Sequence, residues 1–408
     1  MRSDRQPVSQ EQSTQTLGLY VHVPFCRTRC RYCDFYRVGA NAGRMELFLA
    51  ALEREIAGVE PPPGAVVDSI FLGGGTPSLL SPEQITGVLR RLAERFVVSK
   101  ECEVSCEANP SDLTPGRLAQ YRLSGLNRLS LGVQSLNDRE LGLLGRRHDA
   151  AQAERCVGWA RAAGFEAVSL DLMLGIPGQT AAGFRRTVER AIELAPDHLS
   201  VYLLEVHPGS EIDGLRRNRP RLFPSDETQC RRYEWLVGEL ETAGLAQYEI
   251  SNFARPGATC RHNLKYWRRQ AFLGFGPSAH SCLGSRRWRR PADLAAYLAD
   301  PLGTEPQETD PASESVFLGL RLNEGLPLSE LSALLGRDQD SIRSHVESLE
   351  PYLEVVGARV RFTVRGFLVS NAVLVELLGE SSEQAARSDG RTRQLASELL
   401  SVAQPGAG

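Results

Sequence analysis

Tyr20-Val21-His22-Val23-Pro24-Phe25-Cys26-Arg27-Thr28-Arg29-Cys30-Arg31-Tyr32-Cys33-Asp34-Phe35 sets three thiols at C-x3-C-x2-C spacing directly behind an apolar, β-branched run. The run reads as a strand and the cysteines as the loop that follows it. A connector this short brings three sulfurs to one place without any regular structure between them. Iron-sulfur clusters are held by cysteine thiolates, four for a 4Fe-4S cube. Three local thiols leave one iron without a protein ligand, and an open coordination position is the mark of a reactive metal centre. A Cys3His zinc site using His22 is the competing reading, but in a period-two strand His22 shares a face with Tyr20 and Pro24 and nothing turns it toward the loop. Disulfides fit poorly, because the thiols are odd in number and no secretory signal precedes them.

The 408 residues suffice for one barrel and a smaller domain. A formal net charge of -3 with both signs interspersed excludes a global field for nucleic acid or an anionic membrane. Nine cysteines without secretory context fit a reducing, cytoplasmic compartment. Residues 1–17 are polar and are expected to be disordered. No apolar run approaches the ~20 residues of a membrane span.

Strand and helix patterns then alternate. Strands are expected at Leu19–Val23, Val67–Leu72, Glu101–Ala108, Leu129–Val133, Val168–Leu174 and Leu199–Leu204. Helices are expected at Arg44–Val59, from Ser81-Pro82-Glu83-Gln84 onward, and at Thr114–Ser124, Ala150–Ala163, Gln179–Leu194 and Asp226–Ala243. Six strand-helix units imply a parallel α/β sheet with right-handed crossovers, either a partial barrel or a doubly wound sheet.

Ligands of such sheets bind at the carboxyl ends of the strands. There stand Gly73-Gly74-Gly75-Thr76-Pro77, Glu107, Asn109 and Gln134, with Arg146 in the next connection. Three glycines let backbone groups approach a polar ligand closely. Asp171 sits inside the apolar run Val168–Leu174, where a buried carboxylate needs a partner.

The cysteine loop, with an aromatic before its last cysteine, and the glycine turn together resemble the radical S-adenosylmethionine (SAM) superfamily. That resemblance implies a partial (β/α)6 barrel, a 4Fe-4S cluster on Cys26, Cys30 and Cys33, and SAM chelating the open iron, to be cleaved by one electron from the cluster, which an electron donor would supply. Tyr20 to Cys26, Glu107 to Pro110, Gly132 to Ser135 and Asp171 to Thr180 further resemble the oxygen-independent coproporphyrinogen III dehydrogenase group, HemN and its relatives. By that likeness Tyr20 and Tyr32 lie beside SAM, Gly74, Gly75 and Thr76 meet its methionyl part, Glu107, Gln134 and Asp171 face its hydroxyls and polar edge, and Arg146 pairs with its carboxylate.

Two features divide that group. The dehydrogenase carries a further cysteine two residues after the triad, where this chain has Phe35, and a longer amino-terminal extension than the short stretch before Tyr20. The run Cys260-Arg261-His262-Asn263-Leu264-Lys265-Tyr266-Trp267 contains His-Asn-x-x-Tyr-Trp, which resembles the heme-chaperone branch, HemW. The expected function is therefore heme binding and delivery to apo-hemoproteins, membrane-associated cytochromes among them; porphyrinogen decarboxylation is the alternative. His262 is the expected axial ligand, with His207 and Cys260 as competitors, and the Arg286-Arg287-Trp288-Arg289-Arg290 cluster is a candidate for the propionates.

The expected organisation is a barrel over 18–250, a capping segment over 251–304, a linker at Pro306–Pro311, an α+β winged-helix-like domain over 305–378 and a tail over 379–408. The third helix of that domain carries Asp338, Asp340, Glu347 and Glu350 with only Arg337 and Arg343, a poor surface for nucleic acid.

Overall fold

The computed structural model describes residues 15–379; the expectations for the lead-in over 1–14 and for the tail over 380–408 lie outside the described residues. The first strand, β1 (Thr16–Val23), already begins inside the stretch expected to be irregular, since Thr16 and Leu17 pair with Val66 and Val67. Two short strands, β2 (Phe25–Cys26) and β3 (Val38–Gly39), pair with each other and bracket the cysteine loop. Next come α1 (Ala42–Gly58), β4 (Val66–Gly74), α2 (Pro82–Arg95), β5 (Val98–Ala108), α3 (Pro115–Leu123) and β6 (Arg128–Gln134). They are followed by α4 (Asp138–Leu144), α5 (Ala150–Ala162), β7 (Ala167–Leu174), α6 (Ala181–Glu193), β8 (His198–Leu203), α7 (Glu211–Asn218) and α8 (Asp226–Thr242).

All six expected strands and the helices between them form. The sequence dictates this locally: Ser81 and Gln84 close a reciprocal cap at the start of α2, with bonds of 3.2 and 2.8 Å. The strands β1, β4, β5, β6, β7 and β8 lie side by side and parallel, with Leu19 against Ile70, Ile70 against Val104, Cys106 against Leu129, and Leu131 against Leu170. Both faces of these strands are buried, which is why they read as near-continuous aliphatic runs. The sheet remains an open, partial barrel. Beyond β8 it ends in β10 (Asn252–Ala254) and β9 (Ala246–Gln247), both antiparallel.

The segment 251–304 is woven into this sheet, which the expectation of a cap did not include. After α9 (Arg261–Trp267), β11 (Phe272–Phe275) pairs in parallel with β1 on its free edge. Antiparallel β12 (His280–Leu283), β13 (Arg286–Arg289), and β14 (Glu305–Gln307), which follows α10 (Leu294–Ala299), complete a sheet of twelve strands. Thus the expected linker at Pro306–Pro311 begins as strand at Pro306 and Gln307, and Pro311 opens the next helix.

The segment around His262 is the helix α9, and it fills the floor of the barrel. Lys265 Nζ reaches Asp68 Oδ1 at 2.8 Å and Thr16 Oγ1 at 3.1 Å, while the Arg261 and His262 amides both donate to the Glu103 carboxylate at 3.3 Å. Thr16, Asp68 and Glu103 lie toward the amino-terminal ends of β1, β4 and β5, opposite the cysteine loop.

The carboxyl-terminal domain has α11 (Pro311–Gly319), β15 (Leu326–Pro327), α12 (Leu328–Leu335), α13 (Gln339–Ser348) and the hairpin β16 (Leu353–Val356) and β17 (Arg359–Phe362). Three helices and a three-stranded sheet reproduce the expected winged-helix pattern. Two further helices, α14 (Val364–Leu368) and α15 (Ser370–Leu377), turn back toward the barrel mouth. Among the described residues no helix is long and apolar enough to cross a membrane.

Candidate metal and cofactor site

The three thiols share one cavity at the carboxyl end of the sheet with Gly75, Thr76, Glu107, Arg146 and Asp171. β2 holds Cys26, whose sulfur lies 3.4 Å from Thr76 Oγ1, and Arg146 Nη1 points at Cys30 Sγ from 3.5 Å. Burial raises the Cys26 thiol, and it raises Cys33 to about 12 despite the opposing pull of Arg37, so these two bare thiols are protonated at neutral pH. A cationic metal group removes that obstacle by displacing the protons.

Among the described residues no three His, Cys, Asp or Glu side chains converge at single-ion spacing. His22 is turned away, with Nδ1 3.2 Å from Tyr20 Oη and Nε2 3.1 Å from the Tyr36 carbonyl oxygen. The Cys3His zinc reading therefore lacks its fourth ligand. A cube places each thiolate on a different iron, so its sulfurs stand further apart than those around one ion.

At the carboxyl ends of the strands lies a set of buried polar atoms without protein partners, of which Glu107 and Arg146 line the thiol cavity and Gln134 does not. Gln134 is fully buried, and neither its Oε1 nor its Nε2 is bonded. Its backbone sits at φ 67°, just past a register shift after Gly132. Such local strain and bulging re-aim side chains at functional sites. Glu107 Oε2 accepts from Gly74 N at 3.2 Å, while Oε1 is unpartnered. Burial, then repulsion from Asp171, pushes the Glu107 carboxyl well above the usual carboxylate range.

Asp171 has the partner its burial demands: Ser130 Oγ donates to both carboxylate oxygens at 3.0 and 3.2 Å. Burial still lifts it to about 7, against the hydrogen bonds from Ser200 and Ser130 and the nearby guanidinium of Arg146. Arg146 is braced by the Gly132 carbonyl at 2.6 Å and Tyr32 Oη at 3.5 Å, which leaves Nε free. Free donors and acceptors, two acids raised by burial and a guanidinium around three thiols suit a zwitterionic, hydroxyl-bearing nucleotide and a cluster, so the residues present fit both groups.

Two expected residues have roles within the protein. A Cβ on Gly74 would stand 2.7 Å from the His22 ring, and one on Gly75 would stand 2.8 Å from the Phe25 carbonyl oxygen. The turn therefore needs glycine for its own packing, beyond any ligand. Tyr20 lies one layer below, under Gly73, its ring packed beside those of Phe71 and His262 at 6.2 and 6.3 Å.

The expected heme ligand does not reach this cavity. His262 has no solvent exposure, with Nδ1 2.9 Å from Ser69 Oγ and Nε2 2.8 Å from Tyr266 Oη. Ser69 precedes Gly73 by four strand residues, about 13 Å along β4. With both ring nitrogens bonded in the barrel floor, His262 has none to offer iron. Cys260 is equally buried and points at Glu103 Oε1 from 3.5 Å. Three arginines of the cluster are likewise committed, Arg287 to Glu314, Arg289 to Glu305 and Arg290 to Glu55, while the exposed Arg286 lies over the Trp288 ring. His207 alone of the three sits at the mouth, its Nε2 3.3 Å from Asp34 Oδ2.

A partial parallel barrel with a three-thiol loop at its mouth defines a radical SAM protein. The Radical SAM superfamily model matches residues 20–191, and the HemN C-terminal domain model matches 307–369. Heme chaperone HemW of Mycobacterium tuberculosis is 38% identical over 90% of this chain and 95% of its own, and that of Bacillus subtilis is 34% identical over 88% and 99%. HemW of Escherichia coli is 33% identical over 89% and 98%. The chain belongs to the HemW family of the radical SAM superfamily, a family that implies a 4Fe-4S cluster and SAM. Among solved structures, Escherichia coli coproporphyrinogen III oxidase (HemN) has the same fold, with a TM-score of 0.75 over 90% of each chain at 24% identity.

Proposed function

We propose that this protein is a cytoplasmic heme chaperone that binds heme and passes it to apo-hemoproteins, membrane-associated cytochromes among them. The observation that carries this reading is full-length similarity to HemW proteins of three bacteria. In this reading Cys26, Cys30 and Cys33 hold the cluster. Gln134, Glu107, Asp171 and the free Nε of Arg146 face SAM, the turn Gly74-Gly75-Thr76 approaches its methionyl end, Tyr32 stands alongside and Tyr20 supports the turn from below. When bound, the cluster and SAM supply one-electron chemistry at the barrel mouth, which requires an electron donor. The chain's own contribution is burial that holds the Glu107 carboxyl well above the usual carboxylate range and lifts Asp171 to about 7, so that near neutrality the pair can donate to a ligand as well as accept from it.

The test is paired. Anaerobically reconstituted protein is titrated with hemin and offered an apo-cytochrome, and in parallel it is incubated with coproporphyrinogen III, SAM and a reductant. Heme uptake and transfer with intact porphyrinogen is the expected result; decarboxylated product would replace this reading with the dehydrogenase. Cys33→Ser should lower iron and acid-labile sulfide to background.

A further inference from the structure

A second cavity, of about 360 Å³, opens where the cluster site ends. Cys33 belongs to both walls. From there the cavity runs between the ends of β7 and β8 and helices α14 and α15, and Phe35, Met173, Leu204 and Phe367 give it apolar sides. Its size and lining fall in the range of small-molecule sites.

One charged group in this lining is out of keeping with its surroundings. Arg321 lies in the run Val316-Phe317-Leu318-Gly319-Leu320-Arg321-Leu322 and has no solvent exposure. Its guanidinium sits 3.8 Å above the Phe317 ring centroid, and Nη2 donates to Asn371 Oδ1 on α15. Nε and Nη1 have no partner. Glu205 and Glu249 pull on it electrostatically, but among the described residues no carboxylate comes within ion-pair distance. Burial outweighs that pull and lowers its proton affinity to about 9, still high enough to keep the cation at neutral pH. A buried guanidinium with two idle donors is costly unless an anion completes it. Its forked N–H geometry matches a carboxylate.

We infer that Arg321 receives a propionate carboxylate of the heme cargo, which lays the tetrapyrrole along the apolar walls between the barrel mouth and α14–α15. This rests on the heme-chaperone reading. It also gives the carboxyl-terminal domain a part in cargo binding, since the turn that follows α11 carries the arginine to the mouth and Asn371 of α15 orients it. The carboxylates at the rim do not compete for it, because Asp34 and Glu205 are engaged by His207 at 3.3 and 3.7 Å.

The experiment compares hemin with its dimethyl ester, whose propionates carry no charge, by absorbance titration of the full-length, cluster-loaded protein. Wild type should bind hemin about tenfold or more tightly than the ester, the factor a charge-assisted hydrogen bond carries. Arg321→Met should lower hemin affinity by the same factor and leave ester affinity unchanged, with Arg321→Lys in between. Equal wild-type affinity for hemin and ester would overturn the inference without any mutation, so a misfolded variant cannot rescue it. A proportional loss of both ligands in Arg321→Met would also overturn it. If wild type binds neither ligand, the chaperone reading falls as well; if it binds both equally, only the role of Arg321 falls.

Discussion

Replacing His262 with alanine should destabilise the fold and leave heme binding by the remaining folded protein intact. The imidazole bridges Ser69 and Tyr266 with contacts of 2.9 and 2.8 Å, and its loss strands two buried hydroxyls. Each costs about 1–2 kcal/mol. The void left between Phe71, 5.4 Å away, and Tyr266, 5.0 Å away, adds about 1–2 kcal/mol, for a total near 3–6 kcal/mol. The deficit should depend on pH. Burial holds the native imidazole down at about 3, so below its ordinary pKa of 6.5 the unfolded chain takes a proton that the native state refuses. Wild type therefore loses stability on acidification from this site, by about 2 kcal/mol between pH 6.5 and 5. His262→Ala lacks that loss, so the gap between the two proteins should narrow by about 2 kcal/mol from pH 7 to pH 5. Urea unfolding followed by circular dichroism at both pH values, with a hemin titration, reads all three quantities. An unchanged unfolding midpoint combined with lost heme binding would refute the floor-plug reasoning and make His262 a ligand.

Gln134→Gly should relieve the left-handed strain at φ 67° and raise thermal stability by about 1 kcal/mol, while weakening SAM binding measured by calorimetry. Glu249→Gln probes a carboxyl that burial raises to about 8, above its unfolded value. Wild-type stability from this site is full below pH 4.5 and declines as pH rises through 8, so the glutamine variant should be the more stable at pH 8 and indistinguishable at pH 4, by denaturant unfolding. Glu55→Gln disturbs a buried centre that binds Arg290 Nε at 2.6 Å, Tyr297 Oη at 2.6 Å and Gly276 N at 2.8 Å. It should cost about 3 kcal/mol through the uncompensated guanidinium, and a melting temperature equal to wild type would contradict that.

Local chemistry made the six parallel strands and the cap at Ser81 readable, because aliphatic runs and capping residues act within a few positions of one another. Asp171 was equally legible: a carboxylate in an aliphatic strand requires a donor, and Ser130 supplies it. The helix around His262 was not legible. Its His, Asn and Lys suggest a surface loop, and only partners nearly two hundred positions away, Ser69 for His262 and Asp68 for Lys265, make their burial tolerable. The arginine cluster misled for the same reason, since Glu55, Glu305 and Glu314 neutralise it from other elements. Arg321 could have been found, because a lone cation inside seven otherwise apolar or small residues poses the same question that Asp171 did.

The pairing of β1 with β11 has a kinetic consequence. Gly18 meets Phe272 only after the ribosome has added every residue between them, and α9 arrives just before. At ordinary synthesis rates that delay lasts about 10 to 50 s. Throughout it, the nascent chain carries its three reactive cysteines on a loop whose strand lacks a floor and one flanking neighbour. The barrel edge and floor beneath this loop are therefore completed only late in translation.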